Sequence, residues 1–285
     1  MIDGLALDYA GTRAAARLAW RPDERLWQRM RAARDLRALL DTARSAAVGN
    51  YLSGLAAAAH ADDIDTAFRA QFRSRVAELA GWSPVAWRAA IRWTAHLLDL
   101  AAVAHLWTQA PLRWMQSDPV LARYAAERAS AGARRATLIT GPLAPLGRAL
   151  LAHAAADDRS GKRARPTPAG ADPAPMPVVL AAWDAHWQSL WPRICAEQRA
   201  ALLALKDEVI AHRRRFAQLP PTDTGAAREA FATRVLARLR VDPAQPVALF
   251  AYLVVLALDL ERLRAECLAQ AFDAATTARE PAEAT

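Results

Sequence analysis

The chain has 285 residues, of which 54% are hydrophobic, and it carries a formal net charge of +8. This length allows one large helical domain or two modest ones, with a core that needs no disulfide bonds. Alanine, leucine, arginine and glutamate enter helices at little cost in free energy, and β-branched residues are sparse. The composition therefore predicts an all-α protein of many helices and excludes a protein built around a β-sheet.

The positive charge comes almost entirely from arginine, since Lys162 and Lys206 are the only lysines. Few aromatic residues are interleaved with the basic clusters, which favours a solvated arginine surface over nucleic-acid binding. Cys195 and Cys267 lie far apart without CxxC spacing, which indicates ordinary thiols in a reducing compartment. We expect no signal peptide, because residues 1–10 carry Asp3 and Asp8 and no basic start. The longest uncharged run is shorter than the about 20 residues that a spanning helix needs. We therefore expect a soluble, cytoplasmic protein.

The first half of the chain is predicted to form short helices joined by tight breaks. A helix over residues 5–19 ends before Asp23, which can cap a second helix, and Asp35 can cap a third. Ser83 and the proline after it begin a longer helix over residues 84–107. Between Asp35 and Ser83, apolar residues at i, i+4, i+8 and i+11 predict one buried helical stripe. The stripe consists of Phe68, Phe72, Val76 and Leu79.

The second half begins with a stretch that cannot contribute to a core. Residues 157–177 contain five prolines and no large apolar residue except Met176, so they predict a flexible linker. The linker separates an N-terminal helical region, residues 1–156, from a C-terminal helical region, residues 178–274. A disordered polar tail is expected over residues 275–285. Helices in the C-terminal region are predicted over residues 178–191, 194–219, 224–240 and 246–272.

The chain lacks the sequence patterns that carry catalytic chemistry. Its six histidines are scattered, with no HExxH and no Glu-x-x-His spacing for a metal. Ser160, Gly161 and Lys162 lack the GxxxxGK spacing and the preceding strand of a phosphate-binding loop, and no GxSxG occurs. We therefore predict that the protein is not an enzyme, with no catalytic residues, no cofactor and no metal.

Ten tryptophans are the most unusual feature of the composition. Trp183, Trp187 and Trp191 recur every four residues, so a helix would place them along one stripe. Such a stripe can either fill a core or form an exposed aromatic surface that anchors a partner protein. An unrelated helical adaptor or regulatory protein with a tryptophan-rich surface is therefore one alternative function, and an arginine-rich nucleic-acid binder is a less favoured one.

Two stretches of the chain resemble the C subunit of V-type rotary ATPases, the family that includes the eukaryotic d subunit. At the front, Tyr9 is followed by Arg13 and Arg17 in a first helix, and residues 34–40 and 49–52 resemble the next segment. At the back, the resemblance lies in residues 246–264, where Tyr252 and Leu253 are followed by Asp259, Leu260, Leu263 and Arg264. The sequence is similar to a divergent bacterial member of this family.

The resemblance implies a funnel-like, all-helical body made of repeated modules of short helices. It implies a subunit of a proton-transporting complex that sits on the membrane-embedded proteolipid ring and receives the foot of the central stalk. Its partners would be other rotary ATPase subunits, and its place would be peripheral, at the inner face of the membrane. The candidate partner-contact residues are Tyr9, Arg13, Arg17, Tyr252, Asp259 and Arg264, together with Trp183, Trp187 and Trp191.

Overall fold

The computed structural model describes residues 2–19, 21–126, 129–159, 175–216, 218–241 and 243–279. Helices are the only regular elements within these residues, which confirms the predicted all-α class. The chain divides into two compact units. Unit 1 comprises residues 1–91 and 192–285, and unit 2 comprises residues 92–191.

The α-helices are numbered in chain order. They are α1 (Ile2–Leu18), α2 (Glu24–Arg31), α3 (Leu36–Arg44), α4 (Ala61–Trp82), α5 (Val85–Trp93), α6 (Leu100–Thr108), α7 (Ala131–Thr140), α8 (Ala144–Arg159), α9 (Pro175–Ser189), α10 (Ala196–Phe216), α11 (Thr224–Val241) and α12 (Pro246–Arg279). Short 3₁₀ helices cover Ala47–Tyr51, Thr94–Leu98, Arg113–Gln116 and Pro221–Asp223.

Side-chain caps define where several of these helices begin. The Asp23 carboxylate accepts a hydrogen bond from the Leu26 amide at 2.8 Å, and the Asp35 carboxylate accepts one from the Ala38 amide at 2.7 Å. Each bond satisfies a backbone N–H that the first helical turn leaves without an intrahelical partner. The two predicted caps are therefore confirmed, and they turn the chain sharply into α2 and α3.

Helix α12 forms the centre of unit 1. It packs against α1, α3, α4, α10 and α11. A helix in such a position has to be apolar on most of its circumference. The predicted stripe of α4 is buried against this centre, with Phe68 and Phe72 both 4% exposed. Buried residues of α12 include Ala248, Leu249, Phe250, Tyr252, Leu253, Val255, Leu256, Leu260 and Leu263.

Helix α1 approaches the segment before α12 at a glycine. A Cβ atom built on Gly11 would lie 1.8 Å from the carbonyl oxygen of Pro243. No side chain fits in that space, because real Cβ atoms essentially never come within 3.0 Å of another heavy atom. Gly11 therefore allows the backbone of α1 to lie directly on the chain that leads into α12.

Unit 2 is built around contacts among its four longest helices. Helix α9 packs against α6 and α8, and α7 packs against α6 and α8. Val179 and Trp183 of α9 are buried, as are Leu146 and Leu150 of α8. The apolar face of α9 thus completes the core of unit 2.

The single helix predicted over residues 84–107 is wrong, since α5 and α6 are separated by the 3₁₀ helix Thr94–Leu98. The carbonyl of Trp93 accepts a hydrogen bond from the indole of Trp183 at 3.3 Å, and the indole of Trp93 donates to the carbonyl of Trp183 at 3.1 Å. This reciprocal tertiary pair uses a carbonyl that a continuous helix would use internally. Buried Asp99 pairs with His96 at 2.9 Å at the other end of the 3₁₀ segment.

The compact units divide the chain differently from the predicted regions 1–156 and 178–274. Helix α9 packs with the helices before it, and α12 packs with the first helices of the chain. Both associations are long-range, and a linker in the sequence gives no sign of them. Of the predicted linker, residues 157–159 belong to α8 and 175–177 to α9, and 160–174 lie outside the described residues. Helix α12 continues into the predicted tail as far as Arg279, and residues 280–285 lie outside the described residues.

Candidate functional site

One face of α1 carries Tyr9, Arg13 and Arg17 at intervals of four residues, so they stand one above another. Arg13 donates a hydrogen bond to the hydroxyl of Tyr9. The guanidinium carbon of Arg13 lies 4.4 Å from the centre of the Trp82 ring, and that of Arg17 lies 5.7 Å from it. Cations at such distances are attracted to the ring face. The last residue of α4 therefore serves as a platform that orients two arginines of α1.

Glu78 of α4 forms two ion pairs, one with α1 and one within α4. Its carboxylate accepts from Arg17 at 2.7 Å and from Arg75 at 2.9 Å. Arg75 also donates to the carbonyl of Asn50 at 3.2 Å, and its guanidinium lies 5.5 Å from the centre of the Tyr51 ring. Three elements, α1, α4 and the 3₁₀ helix Ala47–Tyr51, thus hold their polar side chains against one another.

Several of these side chains line a half-open cavity of about 660 Å³. The volume lies within the range of small-molecule pockets in proteins. Three guanidinium groups reach it from two helices, and the ring of Tyr252 reaches it from α12. The lining residues are Arg13, Ala16, Arg17, Ser45, Ala46, Asn50, Tyr51, Arg75 and Tyr252. We call this cavity the arginine pocket.

Both tyrosines of the arginine pocket are held in the neutral form. Burial raises the pKa of Tyr51, and the negative charge of Asp259 raises it further, although Arg75 and Arg17 lower it. Burial is also the main cause that raises the pKa of Tyr252. Both side chains therefore keep their phenolic proton at neutral pH and remain able to donate a hydrogen bond.

A buried ion pair lies where the chain leaves α1. The guanidinium of Arg21 donates to both carboxylate oxygens of Asp259, at 2.7 and 2.8 Å. The Asp259 side chain is 7% exposed, and Glu229 lies 3.7 Å from the same guanidinium. Burial alone would lower the pKa of Arg21, but its hydrogen bonds to Asp259 and that carboxylate's charge outweigh burial and raise it. The pair fixes the end of α1 to the middle of α12.

Two further arginines of α12 hold other helices of unit 1. Arg262 donates to Glu24 of α2 at 2.9 Å, and its guanidinium lies 4.2 Å from the centre of the Trp27 ring. Arg264 pairs with Asp65 in the first turn of α4. Helix α12 therefore forms ion pairs with α2 and α4 in addition to being the centre of the core.

The structure brings several of the predicted partner-contact residues together. Arg13, Arg17 and Tyr252 line the arginine pocket, and Tyr9 is 54% exposed and bonded to Arg13. Asp259 is buried in its ion pair with Arg21. The remaining candidate on α12, Arg264, is 42% exposed and serves the contact with α4 instead.

Sequence reasoning missed Arg75 and Glu78 as members of this site. Both lie within α4, between positions of the buried stripe, where a charged residue is read by default as part of a solvated face. Tyr51 belongs to a segment of the family resemblance but carried no site prediction of its own. The available signal was the i, i+3 spacing of an opposite-charge pair, Arg75 and Glu78, beside a tryptophan at the end of the same helix.

The two tryptophans of α9, and Trp191 two residues beyond the end of that helix, are buried. Trp183, Trp187 and Trp191 are 5%, 4% and 8% exposed. The rings of Trp183 and Trp187 are stacked with centres 5.5 Å apart, and those of Trp187 and Trp191 meet edge to face at 4.8 Å. The indoles fill the interior of unit 2, so an exposed tryptophan strip at these three positions is wrong, since their apolar rings pack against one another.

Two histidines are shifted towards the neutral form. Burial lowers the pKa of His186, and the charge of His96 lowers it further. Burial also lowers the pKa of His212, whose ring stacks on Phe231 with centres 4.1 Å apart, and Arg234, Arg228 and Arg215 add to the effect. Among the described residues, no group of three or more histidine, cysteine, aspartate or glutamate side chains is arranged to hold a metal ion.

Within the described ranges, no helix combines the length and the apolar character needed to cross a bilayer. Comparison with known proteins adds no relative. No protein-family model matches the chain, no curated protein matches it, and no solved structure matches it. The similarity of its first and last segments to the C subunit of V-type ATPases therefore stays a prediction from the residues themselves.

Proposed function

We propose that this protein is a non-catalytic helical subunit that resembles the C/d subunit of V-type rotary ATPases. In this role it couples the central stalk to the proteolipid ring by protein–protein contact. One observation carries the proposal: the two segments that resemble the family, at opposite ends of the chain, pack on each other. Tyr252 lines the same pocket as Arg13 and Arg17, and Asp259 is paired with Arg21 at the end of α1.

The exposed side of α1 is the contact surface that we propose for a partner subunit. Leu5 is 72% exposed and Tyr9 is 54% exposed, and the two lie one turn apart. Tyr9 is bonded to Arg13, so apolar, aromatic and cationic groups meet on one helix face. Aromatic residues and arginine are the side chains that most often dominate the free energy of protein–protein contacts.

A cytoplasmic place at the inner membrane face agrees with the charge of the chain. The formal net charge of +8 favours the anionic surface of that leaflet without insertion. The alternative of an adaptor that binds a partner through an exposed tryptophan strip is not supported by Trp183, Trp187 and Trp191, because the three indoles are buried. Nucleic-acid binding is not favoured either, since few aromatic residues are interleaved with the basic clusters to stack on bases.

Retention of partner subunits on the immobilised chain tests the proposal. The probes are the purified central-stalk and proteolipid-ring subunits of a rotary ATPase from the same organism, and at least one of them should be retained. Changing Leu5 and Tyr9 to serine should weaken retention about tenfold or more, because it removes two exposed apolar anchors. Val85→Ser is the matched control, since Val85 is 75% exposed and also belongs to unit 1. Failure of the chain to retain either partner would contradict the proposal.

A further inference from the structure

The arginine pocket carries an excess of positive charge. Three guanidinium groups line it, from Arg13, Arg17 and Arg75, and one carboxylate, from Glu78, bridges two of them. Two positive charges are therefore left uncompensated by these side chains. The neighbouring Arg21 is paired with two carboxylates, Asp259 and the exposed Glu229, so that group adds one negative charge and the wider region keeps an excess of one positive charge.

The pocket also holds hydrogen-bond donors that its own residues do not use. The terminal nitrogens of Arg75 donate to Glu78 and to the carbonyl of Asn50 and keep further N–H groups, whereas its buried Nε–H is out of a ligand's reach. Tyr51 and Tyr252 keep their protons at neutral pH and add two hydroxyl groups to the lining.

The geometry of the pocket restricts the ligand further. The guanidinium groups of Arg13 and Arg17 both lie over the ring of Trp82, so they are oriented before any ligand binds. The remaining lining combines apolar or aromatic groups, from Ala16, Ala46 and the tyrosine rings, with the polar residues Ser45 and Asn50. A volume of about 660 Å³ leaves room for an organic body beside a charged group.

We propose that the arginine pocket binds the phosphate monoester of a small molecule, with the phosphate held by Arg13, Arg17 and Arg75. A phosphate monoester carries a charge of about −1.5 to −2 at neutral pH and three acceptor oxygens, which suits a cavity lined by three arginines. A carboxylate offers two oxygens, one fewer than the three arginines that line the cavity. The same phosphate chemistry is present in soluble phosphorylated molecules and in the headgroup of phosphatidic acid.

Titration calorimetry of the full chain with phenyl phosphate tests this site. Phenyl phosphate joins a dianion to an apolar ring, and phenyl sulfate is the matched probe with the same shape and a single charge. We expect one saturable site with a dissociation constant below about 1 mM for phenyl phosphate and at least about tenfold weaker binding of phenyl sulfate. Absence of saturable phenyl phosphate binding, or equal binding of the two probes, would overturn the proposal.

Substitutions locate the binding. Arg13→Gln removes a guanidinium that does not pair with Glu78, so the ion pairs of Arg17 and Arg75 remain, and we expect at least about tenfold weaker binding. Arg34→Gln removes the same charge from a side chain that is 88% exposed and does not line the pocket. This variant should bind phenyl phosphate with the affinity of the wild type. Circular dichroism verifies that both variants are folded. Equal affinity of Arg13→Gln and Arg34→Gln for phenyl phosphate would overturn the assignment to this pocket.

Vesicles distinguish the two sources of the phosphate. Sedimentation with phosphatidic acid in phosphatidylcholine, compared with phosphatidylcholine alone, detects a headgroup in the pocket if binding is lost in Arg13→Gln and kept in Arg34→Gln. Binding of phenyl phosphate without such vesicle binding supports a soluble ligand. Vesicle binding that Arg13→Gln leaves unchanged, in the absence of phenyl phosphate binding, reports surface charge and overturns the proposal. None of these results depends on retention of ATPase subunits, so the two proposals fail separately.

Discussion

Replacing Asp259 by alanine should destabilise unit 1 more than any exposed substitution, because it leaves a buried guanidinium without its carboxylate. The Arg21 side chain is 17% exposed, and both of its hydrogen bonds to Asp259 are charge-assisted. Removal of one partner from a buried ion pair costs about 3–5 kcal/mol. Glu229 lies 3.7 Å from Arg21 but is 55% exposed, so it replaces the lost carboxylate only in part. We therefore expect a loss near the lower limit, about 3 kcal/mol of unfolding free energy.

A double-mutant cycle isolates the interaction itself. The variants are Arg21→Met, Asp259→Leu and the combination of both, measured by urea denaturation followed by far-ultraviolet circular dichroism. We expect an interaction free energy of about 2–3 kcal/mol, because each single variant leaves a buried charge alone and the double variant leaves none. The double variant should accordingly be much more stable than the sum of the single losses predicts. Asp41→Ala serves as the surface control, since its contact with Arg44 is 3.9 Å long and largely exposed, and it should cost less than about 0.5 kcal/mol.

Two results would refute this reasoning. One is a loss below about 1 kcal/mol in Asp259→Ala, since a buried and unpaired guanidinium cannot be that inexpensive. The other is an interaction free energy below about 0.5 kcal/mol in the cycle, which is the value of an exposed ion pair. Either result would mean that the end of α1 is not held on α12 by this pair.

Three other positions make the structure testable by single substitutions. Gly11→Ala should lower the free energy of unfolding by at least about 2 kcal/mol, because the new methyl group meets a backbone carbonyl. Gly4→Ala in the same helix, with open space around it, should raise that free energy by about 0.5–1 kcal/mol, and equal effects of the two substitutions in urea denaturation would contradict the close approach. Burial raises the pKa of Cys267 to about 12, so a thiol reagent at about pH 8 should modify only the exposed Cys195 in the folded chain and both thiols after denaturation. Mass spectrometry counts the modified thiols, and modification of both in the folded chain would contradict the burial of Cys267. Because the pKa of His212 is lowered in the folded state, the unfolded state binds the proton more readily below about pH 6.5, and the free energy of unfolding decreases as the pH falls. His212→Phe should therefore lose less unfolding free energy than the wild type between about pH 7.5 and 5.5. An equal loss in the two proteins would show that the imidazole does not contribute.

Local chemistry in the sequence was sufficient to predict many of the helices. Asp23 and Asp35 are followed at once by helical patterns, and a capping carboxylate acts within three residues, so no tertiary information is needed. The stripe of α4 was predictable for a similar reason, since the helical period alone sets which residues share a face. Features of this kind depend on neighbours in the chain, and the sequence displays those neighbours.

Other features depend on residues far apart in the chain, and these could not be predicted. The break between α5 and α6 begins at Trp93, which exchanges hydrogen bonds with Trp183, 90 residues away in the chain. The arginine pocket is lined by residues of α1, the segment after α3, α4 and α12, and only their packing reveals that Arg13, Arg75 and Tyr252 face one cavity. Residue types indicated which side chains were unusual, whereas their proximity came from the fold.

Unit 1 is made from both ends of the chain, with the whole of unit 2 inserted between them. During synthesis the first helices leave the ribosome long before α12 exists, so their apolar faces stay without the helix that covers them. Unit 2 is continuous and can complete its core earlier. Truncation that removes α12 should therefore leave the early helices exposed to chaperones and proteases, while unit 2 survives as the protected fragment.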